Sequence, residues 1–130
     1  MRHERDDPAL IYNMVQAAEA VIRFIGDRTK DQYDADELLR AGVERKIEVI
    51  GEASRGISSS LQAAHPEIPW HKIAATRHVL AHDYDFIDDD VTWRIATVYV
   101  PELLEQLRAL LPPPPEDTDP IDDPSTGGRE

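Results

Sequence analysis

Cysteine is absent from the 130 residues, which removes disulfides, thiolate nucleophiles and cysteine-bound zinc. Small secreted domains usually need such staples, so a cytoplasmic protein is expected. Aromatic side chains are few: two Trp, four Tyr and two Phe. No apolar run approaches the roughly 18 residues of a membrane span, and the charged stretch Met1 to Asp7 has no signal-peptide core behind it, so no membrane association is expected. Positive charge is scarce as well, with 14 Lys and Arg against 26 Asp and Glu and a net charge of −12. At first sight this argues against a nucleic-acid partner, an objection that the concentration of acids in the tail weakens, and any phosphate site has to be local. Glycine-rich phosphate loops and the HExxH zinc motif are missing too.

What is present suffices for one core. Leu, Ile, Val and Phe together number 31 of 130 residues, above the roughly 20% level below which disorder becomes the default, and the length suits a single domain. Residues 1–111 are expected to form it. From Pro112 onward the composition changes: four consecutive prolines, then Pro120, Pro124 and Gly127-Gly128, with six acids, one arginine and Ile121 as the single large apolar residue. Residues 112–130 therefore read as a disordered, Pro-rich acidic tail that holds −5 of the charge and leaves −7 on the remainder.

Within 1–111 the periodicity is helical. Leu10, Ile11, Met14, Val15, Ala18, Val21, Ile22 and Ile25 recur at three- and four-residue steps and predict a helix over 7–28, with Asp7 and Pro8 suited to its cap and first turn. Asp34 to Glu37 has the spacing of a capping box and opens a second helix, 35–63, along Leu38, Leu39, Val43, Ile47, Ile50, Ala53, Ile57 and Leu61. Gly42, Gly51 and Gly56 inside it suggest close backbone contact or a bend, or simply tolerated weak spots. Pro66 and Pro69 break the chain before a third helix from Trp70 to Ala81. A fourth, 89–110, follows the acidic stretch Asp83 to Asp88; its face is Trp93, Ala96, Val100, Leu104, Leu107 and Leu111, and Pro101 should kink it. No strand signal or internal repeat occurs. The expected fold is all-α: an antiparallel up-and-down four-helix bundle with a kinked last helix.

Chemistry concentrates in Ala75 to Tyr84, where Arg77, His78, His82 and Tyr84 fall within eight residues. His78 and His82 lie one helical turn apart, with His71 on the same stripe. Three readings of this cluster stand open. Histidines at i and i+4 can share a metal ion, although His71 is about 10 Å from His78 along the axis and a third ligand is wanting. A structural reading has His82 and Tyr84 capping the helix while Arg77 pairs with Glu52 or another acid. The third is metal-free cleavage of RNA, which needs a base for the 2′-hydroxyl, an acid for the leaving oxygen and a fixed cation for the phosphorane; histidine and arginine match those needs. A symmetric dimer would double the cations around one cleft.

Arg77-x4-His82-x-Tyr84 resembles the signature of the HepT toxins of the HEPN superfamily. Ile50-Gly51-Glu52-Ala53, Pro66 to Trp70, Tyr84 to Asp88, Trp93 and Pro101-Glu102-Leu103 resemble that family's pattern in order and spacing, over about residues 7–111. The resemblance implies a HEPN helical bundle working as a homodimer: the ribonuclease toxin of a type VII (HEPN/MNT) toxin–antitoxin system, metal-independent, without cofactor, with tRNA among its targets. By that resemblance Arg77 steadies the scissile phosphate and His82 is the general acid or base. Tyr84 matches the tyrosine to which the partner, a minimal nucleotidyltransferase (MNT) antitoxin, attaches AMP, a bulky anionic block to the cleft. His78 stands where the family commonly has asparagine; it takes over that polar role, acts as a second proton carrier, or marks a site drifting from activity. Glu52 is the expected carboxylate orienting Arg77 or His82, with a surface salt bridge elsewhere as its alternative. The competing function is a non-catalytic helical module that binds a nucleotide or a nucleotidyltransferase partner, with Arg77 and His82 gripping an anion.

Overall fold

Apolar positions spaced three and four apart on α1 (Asp7–Ile25) are what hold the molecule's centre: Ile11, Met14, Val15, Ala18, Val21 and Ile25 are all buried along one side. The structure, a computed structural model, describes residues 4–82 and 89–111, without the side chains of residues 4 and 77–82. After α1 come α2 (Lys30–Ala35), α3 (Glu37–Arg55), α4 (Ser59–Ala64), α5 (Trp70–His82), α6 (Asp89–Arg94), a π-turn (Ile95–Tyr99) and α7 (Val100–Arg108). A single 3-10 turn, Glu4–Asp6, precedes α1, and the described residues contain no strand. The protein is all-helical. The acidic stretch 83–88 and the tail from 112 lie outside the described residues.

α1 packs against α3 on one side and α7 on another, and α3 in turn packs against α5. Met14, Val21, Val43, Ile57 and Leu107 meet in the interior with no more than traces of exposure. The expected apolar stripes are mostly inside, with two exceptions. Ile22 is 38% exposed and Leu38 84% exposed; each sits beside the residue that does turn inward, Val21 and Leu39.

The expected helix 35–63 is two helices, α3 and the six-residue α4, with another six-residue helix, α2, before them. α2 is closed by a capping box at Thr29 and Gln32: Gln32 N–H donates to Thr29 Oγ1 at 3.2 Å and Thr29 N–H donates to Gln32 Oε1 at 2.8 Å. The box foreseen at Asp34 to Glu37 reduces to a simple cap, in which Asp36 Oδ1 accepts from Leu39 N–H at 3.0 Å. Asp34 pairs with Lys30 at 2.7 Å instead. α3 stops at Gly56 because Ser58 is claimed by a tertiary bond. Asp7, buried at 7% exposure, accepts from Ser58 N–H at 2.9 Å and from Ser58 Oγ at 2.6 Å. Ser58 then caps α4, its hydroxyl accepting from Leu61 N–H. Asp7 is thus the first residue of α1 and no cap for it; Asp6 stands at the cap without a side-chain bond.

Gly42 and Gly56 mark close approaches. A Cβ on Gly42 would meet the Phe24 ring at 3.3 Å, and one on Gly56 would meet Leu10 Cδ1 at 3.0 Å. These contacts pack α1 tightly onto α3 and show that the two helices run antiparallel. The break at residues 65–69 is as expected, with Ile68 buried and Trp70 Nε1 donating to His65 O at 3.0 Å. The irregularity expected at Pro101 lies one turn earlier, where Val100 N–H reaches back five residues to Ile95 O. Pro101 has no N–H to give Thr97 O, and its ring crowds that carbonyl, so the helix widens before it.

Candidate functional site

Pro69 ends the turn closed by Ile68 N–H donating to His65 O, and α5 begins at Trp70, which is buried together with Ile73 one turn on. Those two anchors set the rotation of the helix. Position 77 continues their stripe, while positions 78 and 82 continue the stripe of His71, which is exposed. Arg77, His78 and His82 thus all belong to α5, in its last two turns, and their side chains lie outside the described residues. Tyr84 lies outside the described residues altogether. Along a regular helix positions 77 and 82 are about 7.5 Å apart and about 140° around the axis.

A cleft of about 430 Å³ runs beside α5, between α3 and the segment from the π-turn to α7. Ile47, Ile50, Ile73 and Leu103 form its apolar walls, and Lys72 and Tyr99 stand at its edge. It reaches Thr76, the residue before Arg77. Thr76 is held in the helix by donating its hydroxyl to Lys72 O at 2.9 Å.

Glu52 is exposed on α3 and lines a second, wider groove of about 1080 Å³ between α1 and α3. Two residues of helix turn it about 160° away from Ile50, which faces the α5 cleft. Glu52 has an interaction partner in the structure. The same groove carries Arg23, Arg45, Lys46 and Arg55, cations that no sequence motif singles out. Their positions along α3 are visible on a helical wheel; their meeting with Arg23 is not.

On the other side of α3 the surface is electrostatically knit. Lys30 bridges Asp34 and, at 2.6 Å, Asp90, and both contacts hold its ammonium charged to higher pH than usual. Lys30 in turn lowers the pKa of Asp90. Arg40 Nε lies 3.6 Å from Asp89 and its guanidinium donates to the carbonyls of Tyr33 and Asp34. Tyr33 beneath them is fully buried against Trp93, with ring centres 5.2 Å apart, and burial raises its pKa. Among the described residues no group of three or more potential metal ligands is gathered, and no helix is long and apolar enough to cross a membrane.

Among the described residues the regular elements are all helical, and the class of protein is given by similarity over nearly the whole helical region. The family described as Ribonuclease HepT-like matches residues 9–110. The chain belongs to this HepT-like ribonuclease family of the HEPN superfamily. It is 32% identical over 105 residues to "Putative RNase MJ1380" of Methanocaldococcus jannaschii, covering 81% of this chain and 96% of that one. It is 31% identical over 108 residues to "Probable ribonuclease HepT" of Thermococcus cleftensis, covering 81% and 98%. A third relative, "Putative RNase TTE0752" of Caldanaerobacter subterraneus, is 26% identical over 99 residues, covering 76% and 88%. No solved structure matches the chain.

Proposed function

We propose that this protein is the ribonuclease toxin of a type VII (HEPN/MNT) toxin–antitoxin pair, a metal-independent endoribonuclease that acts in the cytoplasm as a homodimer, with tRNA among its substrates. The observation that carries this reading is the ribonuclease family match over 9–110, which contains both Arg77 and His82 on one helix. In this reading α1, α3, α5 and the α6–α7 segment are the four helices of an up-and-down HEPN bundle spanning 1–111, and 112–130 is a disordered tail.

The chemistry follows from the residue types. A 2′-hydroxyl that attacks its own phosphate must lose a proton, and the departing 5′-oxygen must gain one. His82 carries one of these protons, as general acid or base, because imidazole exchanges protons near neutrality. Arg77 offers the developing phosphorane a forked, permanent cation. The roughly 140° between positions 77 and 82 favours a groove shared by two copies, to which each contributes from its own α5. His78 supplies the polar group that the family commonly draws from asparagine; the place of Glu52 on the α1–α3 groove favours the alternative of a salt bridge elsewhere over a role in orienting Arg77 or His82. Attachment of AMP to Tyr84 by the MNT antitoxin silences the site by bulk and negative charge.

The test is to incubate the purified protein with total tRNA and sequence the RNA ends. Discrete new 3′ ends are expected, unchanged by EDTA and reduced about 100-fold or more in Arg77→Ala and in His82→Ala. Both variants should keep the parent's helical content and relieve growth arrest in cells. Cleavage undiminished in both would overturn the assignment; dependence on a divalent ion would restore the metal reading. Tight anion binding without new ends would favour the non-catalytic module.

A further inference from the structure

Cations in this acidic chain gather in the groove between α1 and α3. Buried Ala17, Ala20 and Ala53 make its floor. Arg23 stands on the α1 rim, and Arg45, Lys46 and Arg55 on the α3 rim. Arg23, Lys46 and Arg55 form no ion pair among the described residues, and Arg45 meets only its helical neighbour Glu48, at 3.5 Å. Of the groove's two acids, Glu19 holds Arg108 at 2.8 Å, and Glu52 has an interaction partner as well. Because Gly56 abuts Leu10 and Gly42 abuts Phe24, Arg23 lies toward the Arg45–Lys46 end and Arg55 toward the other.

Arg45 and Arg55 are ten residues apart, about 15 Å along the helix and about 80° around it. That is too long for one anion and matches about four stacked nucleotides at roughly 3.4 Å each. A protein partner of this size would need large exposed apolar or aromatic anchors, whereas the apolar lining here is Ala17, Ala20 and Ala53 with the partly buried Leu10 and Val49 and no aromatic side chain. We propose that this groove binds the phosphate backbone of the RNA substrate, as an attachment site on the side of α3 away from the α5 cleft. The inference rests on the ribonuclease reading. Asn13, also in the lining, can add a neutral amide donor to a phosphate or ribose oxygen.

Binding can be read without cleavage. Affinity for a fluorescein-labelled single-stranded oligouridylate is measured by anisotropy across a salt series, in the full chain carrying His82→Ala. Adding Arg23→Gln, Lys46→Gln and Arg55→Gln together is expected to weaken binding at least about tenfold at low salt. The slope of log affinity against log salt should fall by about two, near 0.7 for each phosphate that the protein no longer neutralises. Arg28→Gln, an equal kind of charge change outside the groove, is expected to move the slope little. Equal affinity and slope in parent and triple variant, with helical content retained, would overturn the groove while leaving the cleavage assignment standing. Failure of the parent to bind RNA at all would overturn both.

Discussion

A carboxylate taken out of water must find donors, and Asp7 finds two on Ser58, 51 residues away. Asp7→Ala leaves the Ser58 N–H unpaired in the interior and removes two charge-assisted bonds; it is expected to destabilise the fold by about 2–3 kcal/mol, read from the midpoint of chemical denaturation. Glu44 is the opposite case. Partial burial on α3, with Asp89 and Glu48 nearby, raises its pKa despite Arg40. The folded state therefore holds this proton more tightly than the unfolded chain, and Glu44 costs stability once pH rises through its folded range. Glu44→Gln is expected to raise Tm at pH 7, with the gain vanishing by about pH 4, where glutamate is itself protonated. A constant gain at both pH values would refute the assignment. Neither role could be read from residue type: Asp7 looks like a helix cap and Glu44 like one of many surface acids.

At the scale of helices, α2 shows what short-range chemistry can do. Six residues are too few to hold a helix in water, yet the reciprocal Thr29–Gln32 box and the pairing of Lys30 with Asp34 and Asp90 define it. Thr29→Ala is expected to cost about 1 kcal/mol and to speed hydrogen exchange at the Gln32 amide before other sites in the chain. The α3–α4 break was illegible for a physical reason: Ile57 and Leu61 continue the apolar rhythm of Ile47, Ile50 and Ala53 across it, so periodicity passes smoothly over a stop imposed by Asp7. Pro101, by contrast, announced its irregularity, because a missing N–H and a crowded i−4 carbonyl are local facts.

For the molecule as a whole, the net charge of −12 argues against RNA binding only until the charges are placed. Lys30 and Arg40 are spent on acids of α2 and α6, and Arg108 on Glu19, while four cations share the α1–α3 groove. Arg77 and His82 entered as a candidate pair through the family resemblance, and what the structure adds is that both positions belong to α5. Glu52 was legible as a candidate, but its rotation toward α1 follows from how Ile47 and Ile50 seat α3 on α5. The helical class and the boundaries of α5 to within a residue follow from chain periodicity, because helix hydrogen bonds and apolar stripes join near neighbours, while the family was legible through the resemblance of its motifs in order and spacing. The α3–α4 break, the buried Asp7–Ser58 link and the gathering of Arg23 with Lys46 and Arg55 appear only on folding, because each depends on groups far apart in the chain that are brought together when α1 packs on α3.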